Sequence, residues 1–189
     1  TLVLTNANIV ETIDPSAEAL VVSKMPHLTI RLEGENKVGM GENTPVNAMT
    51  TCDVTITGDG SLAICGRASC LKADTMIIEG GKIDSYIKTA DDELATFIGV
   101  ALWAQDYMII NGGDIAVSYL ASFSPLSYGL YTVKGLEING GTIRISPEDS
   151  RLMAVGVITS GDLKVRGGHV SAYGLDDAIN AKCTHISGG

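Results

Sequence analysis

Positive charge is scarce in this chain: 13 Lys and Arg stand against 22 Asp and Glu, for a formal net charge of −9. Binding to phosphates needs clustered Lys and Arg, so the balance argues against nucleic acid and leaves cations or neutral molecules as partners. Long apolar runs are missing too. None reaches the roughly 20 residues that cross a bilayer, and the chain reads as soluble. It opens on Thr1 with neither a Met nor the charged and apolar regions of a signal peptide.

Catalytic signatures are equally sparse. There is no Gly-x-Ser-x-Gly elbow, no phosphate loop and no Cys-His pair of recognisable spacing, so an enzyme would rest on analogy of fold. The four cysteines, Cys52, Cys65, Cys70 and Cys183, form no Cys-x-x-Cys and have no cluster of histidine beside them. This disfavours zinc and favours free thiols, although Cys65 and Cys70 could close a small loop in an exported protein. His27, His169 and His185 are too dispersed for a metal cluster.

What is present is a recurring glycine pair. Ile138-Asn139-Gly140-Gly141-Thr142-Ile143 has relatives at Ile78 to Ile83, Ile110 to Ile115 and Val165 to Val170, a looser one at Ile56 to Leu62, and a start of another at Ile186. Counted on the second glycine, the positions are Gly60, Gly81, Gly113, Gly141, Gly168 and Gly189, at intervals of 21, 32, 28, 27 and 21 residues. Periods of this size mark a repeat array, and the uneven intervals place insertions in loops. Neither the leucine-rich pattern nor a 3.6-residue period accompanies them, so the repeating unit is not helical.

Alternation around each pair supplies the geometry. Met76 and Ile78, Met108 and Ile110, Leu136 and Ile138, and Leu163 and Val165 fall on one face; Glu79, Asn111, Asn139 and Arg166 fall on the other. Ile83, Ile115, Ile143 and Val170 resume the inward column after the glycines, which therefore mark a corner where the backbone needs positive φ. A further inward segment holds Leu71 and Ala73, Leu130 and Thr132, Val155 and Val157, and Ile179 and Ala181. Two or three short strands per turn, each pairing with its equivalent one turn away, make an all-β, right-handed parallel β-helix (solenoid) of about six or seven coils. The 189 residues form a single β-helix domain, with residues 1–27 as the N-terminal cap and 28–189 as the coils. An open last coil at Gly189 would expose a strand edge, from which we expect further coils, a partner or a trimmed chain.

Ile56-Thr57-Gly58-Asp59-Gly60-Ser61-Leu62-Ala63-Ile64, the Ile-x-Gly-Gly-x-Ile corners and Asp176-Asp177-Ala178-Ile179-Asn180-Ala181 resemble the secreted bacterial carbohydrate-binding parallel β-helix family. There a T-I-x-G-x-G-x-L-x-I strand pair precedes D-D-G-I-x-A and I-S-G-G segments. The likeness covers residues 28–189. Two departures are Ala178 in place of the usual Gly, and a full Asp-Asp-x-Ile form in the last coil alone. The resemblance implies an extracellular or cell-surface protein, an acidic polysaccharide as ligand and, in some members, bound calcium.

Two sets of residues are candidates for chemistry. Acidic turns follow the corners: Asp91-Asp92-Glu93, Glu148-Asp149 and Asp176-Asp177. Stacked on one edge, their oxygens would suit calcium, although Asp also favours turns for its own reasons. The outward face beside the corner carries Lys82, Asp114, Thr142 and His169, then Asp84, Ala116, Arg144 and Ser171, then Tyr86 and Tyr173. Aromatic faces stack on sugars while Lys, Arg and His hold carboxylate or hydroxyl, so Tyr86, Tyr173, Lys82, Arg144 and His169 form the expected glycan track. An ordinary mixed strand face would look the same. Trp103, Tyr107, Tyr128 and Tyr131 lie in the longer segments between corners, which read as loops or as cover for the core. The second reading is an enzyme on the same fold: a polysaccharide lyase, with calcium near Asp residues and Lys82, Arg144 or Arg166 as the base, or a hydrolase, which needs two carboxylates about 5–9.5 Å apart. An adhesive spacer is the third.

Overall fold

The computed structural model describes residues 1–9, 18–41, 44–88, 98–119, 127–147, 154–174 and 177–189. Every element among them is a strand, and no helix occurs among the described residues. In chain order they are β1 (Leu2–Thr5), β2 (Asn8–Ile9), β3 (Leu20–Glu33), β4 (Glu35–Val38), β5 (Asn47–Gly58) and β6 (Ser61–Gly66). Next come β7 (Ser69–Ala73), β8 (Met76–Ile78), β9 (Lys82–Ile87), β10 (Gly99–Ala104), β11 (Tyr107–Ile110) and β12 (Asp114–Tyr119). The last are β13 (Ser127–Thr132), β14 (Gly135–Ile138), β15 (Thr142–Pro147), β16 (Ala154–Val165), β17 (His169–Ala172) and β18 (Ile179–Ile186).

All of the pairings are parallel, and they build two sheets. One has seven strands in the order β17-β15-β12-β9-β6-β4-β2; the other has eleven, and its long members β5 and β16 each join two separate rows of shorter strands. Thus β16 pairs with β13 through Ala154–Thr159 and with β14 through Asp162–Val165. Parallel pairing on this scale, with both sheets enclosing one apolar interior, fits a β-helix-like fold.

The register follows the glycine spacing. Lys82 pairs with Ser61, Asp114 with Lys82, Thr142 with Asp114 and His169 with Thr142. Those offsets are the same 21, 32, 28 and 27 residues that separate the corner glycines. Segments of different length between corners are therefore absorbed without disturbing the ladder.

Alternation places the core as expected except on β18, where Ile179, expected inward, is 41% exposed because β18 pairs with β16 alone. Ile78, Ile110, Ile138 and Val165 form one buried column; Leu71, Leu102, Leu130 and Val157 form another; Leu62, Ile83, Ile115 and Ile143 form a third. Each such side chain contributes roughly 1.5–3 kcal/mol by leaving water. Thr132 and Thr159 also lie inside, where their hydroxyls meet at 3.1 Å and accept from the backbone N–H groups of Gly135 and Gly161. No polar atom of that pair is left unsatisfied.

The corner needs glycine for two reasons that coincide. Gly113 and Gly141 have φ of +93° and +84°, which side chains rarely adopt. A Cβ on Gly141 would also lie 2.7 Å from the carbonyl oxygen of Gly113. That oxygen accepts the Thr142 N–H at 2.9 Å, as the Gly81 oxygen accepts the Asp114 N–H. The approach that rejects a side chain is the one that makes the bond.

Candidate functional site

The expected glycan track lies on the outer side of the seven-stranded sheet. Lys82, Asp114, Thr142 and His169 are in register on successive strands, as are Asp84, Ala116, Arg144 and Ser171. Lys82 and Asp84 pair at 2.9 Å, and Arg144 pairs with Asp114 across the strands. Its hydrogen bond to Asp84 raises the affinity of Lys82 for its proton. Each cation thus has a neighbouring carboxylate beside it while staying exposed.

Tyr86 shares its row with Ser118 and Ser146, and Tyr173 follows Ala172, the partner of Ile145, with its N–H on the Ile145 carbonyl at 3.0 Å. Three strand spacings, about 14 Å, separate the two rings, with serines between them. The track is ordered as expected, but its aromatics do not touch. Beside it, the polar residues ahead of the glycines form a ladder: Asn111 Nδ2 donates to Glu79 at 2.9 Å, and Asn139 Nδ2 donates to Asn111 at 2.8 Å. Arg166 continues it and pairs with Glu137.

Of the expected calcium ligands, Asp91, Asp92, Asp149 and Asp176 lie outside the described residues, as do Glu93 and Glu148. Asp177 is exposed; its Oδ2 accepts from Asn180 Nδ2 at 2.9 Å, and its carbonyl accepts from the Gly156 N–H at 3.2 Å. Among the described residues no group of three His, Cys, Asp or Glu side chains converges. All four cysteines are free. Burial pushes the Cys65 thiol up to about 11 and the Cys70 thiol higher still.

A contiguous aromatic surface stands elsewhere, on the outer side of β7, β10, β13 and β16. Lys72, Trp103, Tyr131 and Ile158 are consecutive partners in one row. The Lys72 ammonium sits 4.4 Å from the Trp103 ring centre, Trp103 meets Tyr131 edge to face at 5.7 Å, and Tyr131 stacks on Tyr128 at 5.8 Å. These geometries are favourable for cation–π and aromatic pairs. With Ile98, Val100, Ile158 and Ser160 they line a groove of about 290 Å³. The Trp103 Nε1–H is buried without an acceptor among the described residues, and burial beside Tyr131 raises the Tyr128 phenol.

So Trp103, Tyr107, Tyr128 and Tyr131, whose segments read as loops or core cover, lie on the strands β10, β11 and β13. A signal for this exists in the sequence. Trp103, Tyr131 and Ile158 each lie ten residues ahead of the second glycine of their corner, and Lys72 lies nine ahead. Aligning the repeats on the offset of ten puts Trp103, Tyr131 and Ile158 in one row; Lys72 joins it through the pairing of β7 with β10. Comparison with protein-family models, curated proteins and solved structures returns no match for this chain.

Proposed function

We propose that the chain is a right-handed parallel β-helix of about seven turns, of the secreted carbohydrate-binding kind, whose outer faces bind polysaccharide outside the cell or at its surface. Seven strands in the smaller sheet, with offsets equal to the repeat lengths, support the turn count. Parallel crossovers are right-handed almost without exception, which supports the hand. In this reading β1 and β2, the terminal strands of their rows, belong to the N-terminal cap.

The observation that carries the binding reading is the Trp103–Tyr131–Tyr128 surface. Trp103 and Tyr131 stand on neighbouring parallel strands and Tyr128 extends the patch along the second of them, which gives an extended chain of sugars an aromatic surface to lie on without deep enclosure. Lys72, held over the Trp103 ring, supplies a polar contact at the same place. Calcium held by Asp177 and the acidic turns would bridge a carboxylated polysaccharide to a chain whose net charge is −9.

Trp103 is the sole tryptophan, so its fluorescence reports on the groove. Titration with a panel of soluble neutral and uronate polysaccharides, each with calcium and with chelator, is expected to shift the emission. Tyr131→Ala is expected to weaken that binding at least tenfold. No response to any polysaccharide in either condition would refute the proposal.

A further inference from the structure

A second concavity, of about 200 Å³, opens on the outer side of β11, β14 and the end of β16. It owes its existence to one residue. Tyr107, Gly135 and Asp162 stand side by side in register and face outward, since Met108, Leu136 and Leu163 beside them point into the core. The middle member has no side chain. The Tyr107 ring, in a residue 50% exposed, leans over that place: a Cβ on Gly135 would lie 3.5 Å from two ring carbons and 3.2 Å from the Asp162 carbonyl oxygen.

The walls are charged, and the charges balance. Lys134 stands 2.7 Å from the Asp106 carboxylate and 6.0 Å from the Tyr107 ring centre. Glu137 is paired with Arg166, and Asp162 and Lys164 close the far side. The lining itself carries two cations, Lys134 and Lys164, and two anions, Glu137 and Asp162.

We infer that this cleft is a subsite for one neutral pyranose ring. An exposed aromatic ring offers its face to the C–H side of a sugar. A hydroxyl both donates and accepts, and here ammonium donors (Lys134, Lys164) and carboxylate acceptors (Glu137, Asp162) stand around one ring. A carboxylated sugar gains nothing from a balanced wall, and the net charge of −9 repels it. The volume falls below the roughly 300 Å³ at which pockets enclose a drug-sized ligand, which leaves room for a single ring. The inference rests on the glycan reading above but not on the Trp103 groove, which lies on a different row of strands.

The test uses neutral hexasaccharides of glucose, xylose and mannose, with hexagalacturonate for contrast, followed by calorimetry and by the NMR shifts of the Tyr107 ring. A neutral hexamer is expected to bind and to move the Tyr107 resonances, while hexagalacturonate leaves them in place. Gly135→Val, which fills the cleft without removing a wall residue, is expected to weaken the neutral ligand at least tenfold, and Tyr107→Ala is expected to do the same. Melting curves of both variants verify the fold. Neutral binding that survives both variants, or a Tyr107 response to hexagalacturonate alone, overturns the inference while leaving a glycan-binding protein. Absence of binding by every sugar at both Trp103 and Tyr107 overturns both proposals.

Discussion

Replacing Gly141 by alanine tests the corner geometry directly. The residue sits at φ +84°, and the added Cβ would lie 2.7 Å from the Gly113 oxygen, 2.9 Å from the Gly112 carbonyl carbon and 3.0 Å from the Gly112 oxygen. A left-handed conformation costs an L residue about 1–2 kcal/mol. The close atoms are all backbone, so relief requires the two strands to part, which loosens the Thr142 N–H bond to Gly113 at 2.9 Å. A hydrogen bond contributes about 0.5–1.5 kcal/mol. Together the two effects amount to about 1.5–3.5 kcal/mol, against a total stability of about 5–15 kcal/mol for a domain. In a chain of this size that lowers Tm by about 3–14 °C. Thr142→Ala, a change at the next, outward residue, is the control and is expected to cost under about 0.5 kcal/mol. Urea unfolding followed by circular dichroism measures both. If Gly141→Ala unfolds within 0.5 kcal/mol of wild type by that roughly accurate assay, the corner is not held as glycine by its geometry.

Three further outcomes follow from burial and charge. A disulfide reagent at pH 8 should modify exposed Cys183 first and leave buried Cys65 and Cys70 unreacted in the native state, with all four thiols reacting in urea; early reaction of Cys70 would contradict its burial. Burial raises the folded Cys65 thiol from 9.0 to about 11, so its contribution to stability is complete below pH 9 and is lost as pH rises toward 11, visible as a falling urea midpoint. The Arg144–Asp114 pair is exposed at both ends, so Arg144→Ala should cost no more than about 1 kcal/mol and should cost less in high salt. A larger, salt-independent loss in the same titration would mean that the arginine stem, rather than the charge, supports the sheet.

Much of the architecture was readable from the chain because it depends on local rules. Inward and outward positions alternate with period 2, so Met108, Ile110, Leu136 and Ile138 could be assigned to the core without knowledge of their neighbours. The glycine pair constrains backbone geometry wherever it occurs, and counting its spacing predicted the strand register. The outward rows of Lys82, Arg144, Tyr86 and Tyr173 were ordered by the same count.

What the sequence by itself determined, then, is the repeat, its corners and the side of each strand that faces water. Contacts among outward residues belong to the tertiary structure. Trp103 and Tyr131 are 28 positions apart and become neighbours because β10 and β13 pair in that register. Tyr86 and Tyr173 share a face yet stay apart, since two strands bearing serine lie between them. Likewise Gly135 makes a cleft because Tyr107 and Asp162 flank it from adjacent strands. Along a strand the chain sets which side chain points outward; across strands, only the closed ladder sets what stands beside it.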